Sequence, residues 1–265
     1  MVSAPEDTAV DEKRQPFVEH LRELRVCLRN SVIAMVIAMA ATFSFSQRIY
    51  DWLMAPLYAA ARARHLEGKF LHFAGVTEPF WVYLEVSIYA AVFVASPVIF
   101  HQLWRFIAPG LYARERRFGL LFALFSAVFF VGGAAFCYLL VFPAAFQFLL
   151  GYVSASIEPS LMMRPQLDFA VNMLLAFGLV FELPLLIFFL SWAGIVTHRG
   201  LLRFNKYAMV LSFIVGAVLT PGPDIVSQLL MAAPMILLYN LSILIAWVVT
   251  RRRAGHSRAG TSFQK

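Results

Sequence analysis

Residues Phe169–Val196 form a 28-residue run that holds one ionisable side chain, Glu182, near its centre. A helix of that length crosses the roughly 30 Å hydrocarbon core of a bilayer. A carboxylate at mid-depth costs about 2.5–3.5 kcal/mol on insertion scales, so it is kept where it faces protein, water or a partner. The run therefore predicts a membrane protein with a polar site inside one of its spans.

Five other apolar segments accompany it: Asn30–Ser46, Phe80–Trp104, Phe118–Val141, Tyr207–Thr220 and Ile225–Val249. Apolar residues make up 61% of the 265-residue chain and charged ones 14%, with a mean hydropathy of +0.74, too little polar surface for a soluble domain of this size. Tyr207–Thr220 is 14 residues, about 21 Å as a helix. It spans if the bilayer thins or neighbouring helices shield it. Six spans are thus expected, and Pro97, Pro184 and Pro234 within or beside them favour kinks. Kinked helices around a short fifth span imply a concave bundle. No internal repeat is visible.

Seventeen of the 22 Lys/Arg lie in the N-terminal segment, the second–third and fourth–fifth connections and the C-terminal segment. The other five, Arg48, Arg62, Arg64, Lys69 and Arg164, lie in the alternate connections. By the positive-inside rule both ends are cytoplasmic, as an even number of spans requires. The net charge of +7 is then mainly a topology signal, and its dispersal along the membrane edge argues against nucleic-acid binding. The mixed acidic and basic stretch before the first span is too long for a signal-peptide n-region, so that span is expected to be retained. Cys27 at the cytoplasmic edge and Cys137 inside the third span are not placed for a disulfide or a metal site.

The expected organisation is a disordered tail over 1–16, one six-helix membrane domain over 17–250 and a basic tail over 251–265. Phe17, Leu21, Leu24 and Leu28 share one helical stripe, which predicts a short surface helix over 17–29 before the first span. The connections 47–79 and 143–167 are long enough to fold as two outer-face caps. Pro221-Gly222-Pro223-Asp224 reads as a tight outer turn.

Two groups of residues carry candidate chemistry. On the cytoplasmic side Glu19 and Glu23 lie four apart on the surface helix, and Glu115 stands among Arg114, Arg116 and Arg117. Carboxylates in a basic rim accept guanidinium groups in bidentate geometry. The plainer alternative is local pairing of Glu19 with Arg22, and of Glu115 with its neighbours, at about 0–1 kcal/mol each. Within the membrane, Glu182 either bonds to a neighbouring helix or meets a cavity or another protein's span. Thr220 and Gln228 are weaker polar candidates near the fifth–sixth hairpin, and Glu85 reads as a snorkelling, structural residue. No nucleophile–base pair, metal motif or paired carboxylates at helical spacing occur in the spans, so an enzyme is not expected, nor a metal or cofactor.

Four stretches carry a resemblance to a known family: PFVEHLRELRVCLRN before the first span, SPVIFHQLWRFIAPGLYARERR over 96–117, FGLVFELP around Glu182 and LTPGPDIVSQ over 219–228. In this order and these topological places, the chain resembles TatC, the multispanning subunit of the twin-arginine protein translocase. The resemblance implies an all-α, six-helix glove-like fold in the bacterial cytoplasmic membrane. It implies a receptor that binds the twin-arginine signal peptides of folded cargo, without catalysis or cofactors, in transport driven by the proton gradient. It places signal-peptide binding on Glu23, Arg25, Glu115 and Phe106, beside Arg22 and Glu19. It places contacts with small single-span subunits of the TatA/TatB type on Glu182, Thr220 and Gln228, and outer-face motif positions on Pro56 and Asp224. Membrane lipid and further copies of the chain complete the implied partners, with no nucleic acid. Two departures stand out: Cys27 where the family usually has a basic residue, and Glu85 where it commonly has lysine. The rival reading is a proton-coupled permease centred on Glu182. It lacks inverted repeats, and the strongest motifs lie at the cytoplasmic surface, away from a midplane pathway.

Overall fold

The computed structural model describes residues 6–64, 71–107, 119–152, 161–219 and 225–261. Its elements in chain order are helices α1 (Glu6–Phe43) and α2 (Ser46–Ala63), strand β1 (Leu71–His72), helices α3 (Glu78–Ile107), α4 (Gly119–Phe136) and α5 (Phe142–Leu149), strand β2 (Leu161–Met162), and helices α6 (Met163–Trp192), α7 (His198–Leu219) and α8 (Ile225–Thr261). Six helical stretches are long and apolar enough to cross a membrane, one each in α1, α3, α6, α7 and α8 and one running from α4 through α5. The protein is an all-α integral membrane protein. The described residues group into two compact units.

The first unit comprises the chain up to Phe45 and residues Ser87–Ala127. Small side chains make its central contact: Ala38 of α1 meets Ala91 and Ala95 of α3, flanked by Ala34, Met35, Met39 and Ile99. Without bulk between them, the two backbones approach closely, as helices in lipid favour. The Thr42 hydroxyl seals one end of the contact by donating to the Ser87 carbonyl at 2.9 Å. Trp104 Nε1 donates to Ser126 Oγ at 3.1 Å, tying α3 to α4.

α1 differs from the sequence expectation in two ways. It begins at Glu6, inside the segment predicted to be a disordered tail, and it runs without interruption from the predicted surface helix into the first span. Between Phe17 and Phe43 there is neither Gly nor Pro, so nothing stops the helix at the membrane surface. The predicted basic tail is likewise helical, as α8 continues to Thr261.

The second unit comprises Ser46–Val86 and Val128–Lys265. The first expected outer cap is the amphipathic helix α2, which buries Tyr50, Leu53, Met54, Leu57, Ala60 and Ala61 on one side. The two outer connections meet each other: β1 pairs in parallel with β2, Leu71 opposite Leu161 and His72 opposite Met162.

The third span is longer than its apolar segment. A π-helical turn, Cys137–Val141, carries α4 into α5, so 143–152 is helical where a connection was expected. The Phe142 N–H bonds to Cys137 O, five residues back. That extra residue admits Pro143, which has no N–H to give, into the first turn of α5. α4 crosses α6 at two glycines. A Cβ on Gly133 would stand 2.5 Å from the Phe177 carbonyl oxygen, and one on Gly178 would stand 2.7 Å from the Phe130 ring.

α6 stops at Trp192, before the end of its apolar run, because Gly194 adopts φ 80°. The Ile195 N–H reaches back to Leu190 O at 2.9 Å and the Gly194 N–H to Ser191 O at 3.1 Å, a Schellman closure. Thr197 Oγ1 then accepts from the Gly200 N–H at 3.3 Å and caps α7. This early start makes the fifth helix 22 residues, about 33 Å long. The added length is two basic turns ahead of the 14-residue apolar segment, which itself remains short. α7 and α8 pack as a hairpin around Leu201, Ala208, Tyr239, Ile243 and Ala246, with the Tyr239 hydroxyl donating to Leu201 O at 2.9 Å.

Candidate functional site

The HLRELR segment, residues 20–25, lies wholly within helix α1, so residues three and four apart share a face. Glu19, Arg22, Glu23 and Arg25 are all exposed there. His20, one turn before Glu23, places Nδ1 3.6 Å from Glu23 Oε2. The imidazole also stacks on Phe106 near the end of α3, with ring centroids 4.4 Å apart and planes 18° apart. One side chain thus joins the carboxylate of the first motif to the aromatic of the second. The carboxylate remains about half exposed, at 48%. It offers both oxygens to a planar guanidinium more readily than to a compact ammonium. Glu115 lies outside the described residues, as do Thr220 and Asp224.

Glu182 sits in α6, a turn past Gly178, and is partly buried with Oε1 shielded from solvent. Two residues later Pro184 is buried inside the helix. Glu182 belongs to the second unit and Glu23 to the first. Gln228 Nε2 donates to Phe213 O at 2.8 Å, so its amide joins α8 to α7. Pro56 falls inside α2. The carbonyl it deprives of a helical donor, that of Trp52, accepts from the Tyr138 hydroxyl at 2.7 Å.

Sequence reasoning missed two arrangements. The first is the contact of His20 with Glu23 and Phe106, for which its place three residues before Glu23 on a helix is the available signal. Glu85, read as structural, has a specific partner: its Oε1 is 2.7 Å from Arg164 Nη2. The Arg164 backbone N–H donates to Glu78 Oε1 at 3.3 Å, and the Ala74 N–H donates to Glu78 Oε2. Two acids seven apart on α3 therefore hold both outer connections. Nothing local announced a partner 79 residues away.

A multi-pass membrane protein with exposed ionic groups at its helix ends, and a carboxylate within one span, is the class these features define. A family model, Sec-independent protein translocase protein (TatC), matches residues 19–234. The TatC of Desulforapulum autotrophicum is 42% identical over 243 residues, 92% of this chain and 88% of that protein. The TatC of Aquifex aeolicus is 36% identical over 240 residues, 90% and 97% respectively. A crystal structure of a twin arginine translocase receptor, TatC, superposes with a TM-score of 0.77 at 36% identity, over 87% of this chain and 99% of that one. The chain belongs to the TatC family, protein-translocating membrane proteins rather than enzymes.

Proposed function

We propose that this chain is the receptor and core subunit of a twin-arginine translocase in a bacterial cytoplasmic membrane, with both termini cytoplasmic. It binds the paired arginines of a folded cargo's signal peptide through Glu23 and Glu115, with Arg25, Phe106, Arg22 and Glu19 around them. Single-span subunits of the TatA/TatB type assemble on it through the regions of Glu182, Thr220 and Gln228. Pro56 and Asp224 act on the outer face. Self-association builds the larger complex, and the proton gradient drives export.

The observation that carries this reading is the exposed Glu23 carboxylate beside His20, which stacks on Phe106. Residues from two separate motifs thereby share one surface. A carboxylate that touches His20 through one oxygen and stays half exposed suits a ligand that brings its own guanidinium. The test is export of a twin-arginine reporter by cells whose own TatC is replaced with this chain and matched small subunits. Glu23→Gln should abolish export at undiminished membrane levels of the protein. Full export by that variant would remove Glu23 from the receptor site.

A further inference from the structure

The first turns of α7 carry Arg199, Arg203 and Lys206, spaced four and three apart and all exposed. At 100° per residue these three fall on one stripe. Leu201 and Ala208, which pack against α8, lie on the opposite side of the helix. The stripe continues toward the middle of the helix as Val210 and Ile214, 59% and 54% exposed. One outward face therefore runs from three cations into bare aliphatic surface within about 20 Å.

Among the described residues no carboxylate pairs with Arg199, Arg203 or Lys206. From Leu183 to Lys265 the chain carries eight Lys/Arg and a single carboxylate side chain, Asp224, which follows the opposite end of α7. The neighbouring end of α8 adds another exposed cation, Arg251, whose guanidinium lies over Trp247 at 4.4 Å. Lys206 Nζ lies 4.9 Å from the centre of the Tyr207 ring. Cations beside amphipathic aromatics are the composition of a membrane–water interface.

We infer that the outward stripe of α7 is a binding site for an anionic phospholipid. Arg199, Arg203 and Lys206 hold its headgroup phosphate, and one acyl chain lies along Val210 and Ile214. Arginine's planar fork matches two phosphate oxygens, and lysine adds a point charge. An acidic protein segment would meet the cations equally well but has no need of the aliphatic surface that continues from them. That continuity favours a lipid. The site is independent of signal-peptide recognition.

The test is native mass spectrometry of the full chain released from micelles holding phosphatidylglycerol and phosphatidylcholine in equal amounts. Each basic residue near an anionic lipid contributes about a fivefold preference. Wild-type protein should retain phosphatidylglycerol at least about fivefold over phosphatidylcholine. The triple variant R199Q/R203Q/K206Q should bring the ratio close to one. R48Q/R62Q, which neutralises two exposed cations of α2, should leave it unchanged. If the triple variant does not fold, judged by circular dichroism, Arg203→Gln alone should lower the ratio measurably. Equal retention of both lipids by the wild type, or a ratio unmoved by the α7 substitutions, would overturn the site. Displacement of the bound lipid by millimolar inorganic phosphate would also overturn it, by assigning the cations to a free anion.

Discussion

The hydroxyl of Tyr138 donates to the carbonyl of Trp52 at 2.7 Å, while their rings stack at 4.2 Å. That carbonyl is the one Pro56, four residues on, leaves without a helical N–H. A hydroxyl from another helix thus completes a bond that the sequence of α2 removes. α3 solves the same problem internally: Ser96 Oγ donates at 2.8 Å to Phe93 O, the carbonyl that Pro97 leaves open.

Tyr138→Phe keeps the ring stack and deletes the donor. It should destabilise the protein by about 0.5–1.5 kcal/mol, the net value of one such bond. Pro56→Ala restores an N–H to the same carbonyl, so Tyr138→Phe should cost less in that background. A double-mutant cycle on thermal unfolding in detergent measures the coupling, and additive effects would contradict the link.

Gly132 and Gly133 are adjacent but not equivalent. A Cβ on Gly132 meets nothing within 4 Å, whereas on Gly133 it would meet the α6 backbone. Gly133→Ala should destabilise by about 1–3 kcal/mol through overpacking, and Gly132→Ala should hold or raise the unfolding midpoint. The pair is a control for helix propensity, which is altered identically in both.

Glu85 and Arg164 form a half-exposed pair, with side-chain exposures of 23% and 52%. Glu85→Lys should set two cations against each other and loosen the outer connections, at a cost of about 1 kcal/mol. Exchanging both residues, Glu85→Lys with Arg164→Glu, should recover most of that loss. Limited proteolysis in the 153–160 connection provides the readout.

The Tyr50 hydroxyl is buried and has no hydrogen-bond partner among the described residues. Burial, then the neighbouring Tyr58, raises its pKa above the ordinary 10.0. A raised folded-state value means that stability is intact below pH 10 and declines as pH rises beyond it, because the unfolded phenol ionises first. Tyr50→Phe should therefore equal or exceed the wild type in stability at neutral pH and lose less at alkaline pH. Unfolding midpoints taken on either side of pH 10 test both halves.

The spans were legible because hydrocarbon thickness sets a minimum length and apolar runs meet it. Their ends were not, because ends are decided by local geometry. Gly194 stops α6 inside an apolar run, and Thr197 starts α7 ahead of one. The π-turn before Pro143 let a helix pass a residue that reads as a break, and the absence of Gly and Pro joined the surface helix to the first span. Of the site, Glu23 and Phe106 were visible as motif positions. Their connection through His20 was not, since stacking between α1 and α3 depends on packing that no local pattern encodes. The Glu85–Arg164 pair was hidden for the same reason.

The central claim is that Glu23 and Glu115 receive the twin arginines of a signal peptide. Site-specific photocrosslinking from positions beside each glutamate, in membranes containing the intact complex, tests it most directly. Crosslinks should form with a twin-arginine peptide, fall away when both arginines are changed to lysine, and vanish with Glu115→Lys. Equal crosslinking to both peptides, or none to either, would contradict the account and leave the glutamates as ordinary charges at the membrane rim.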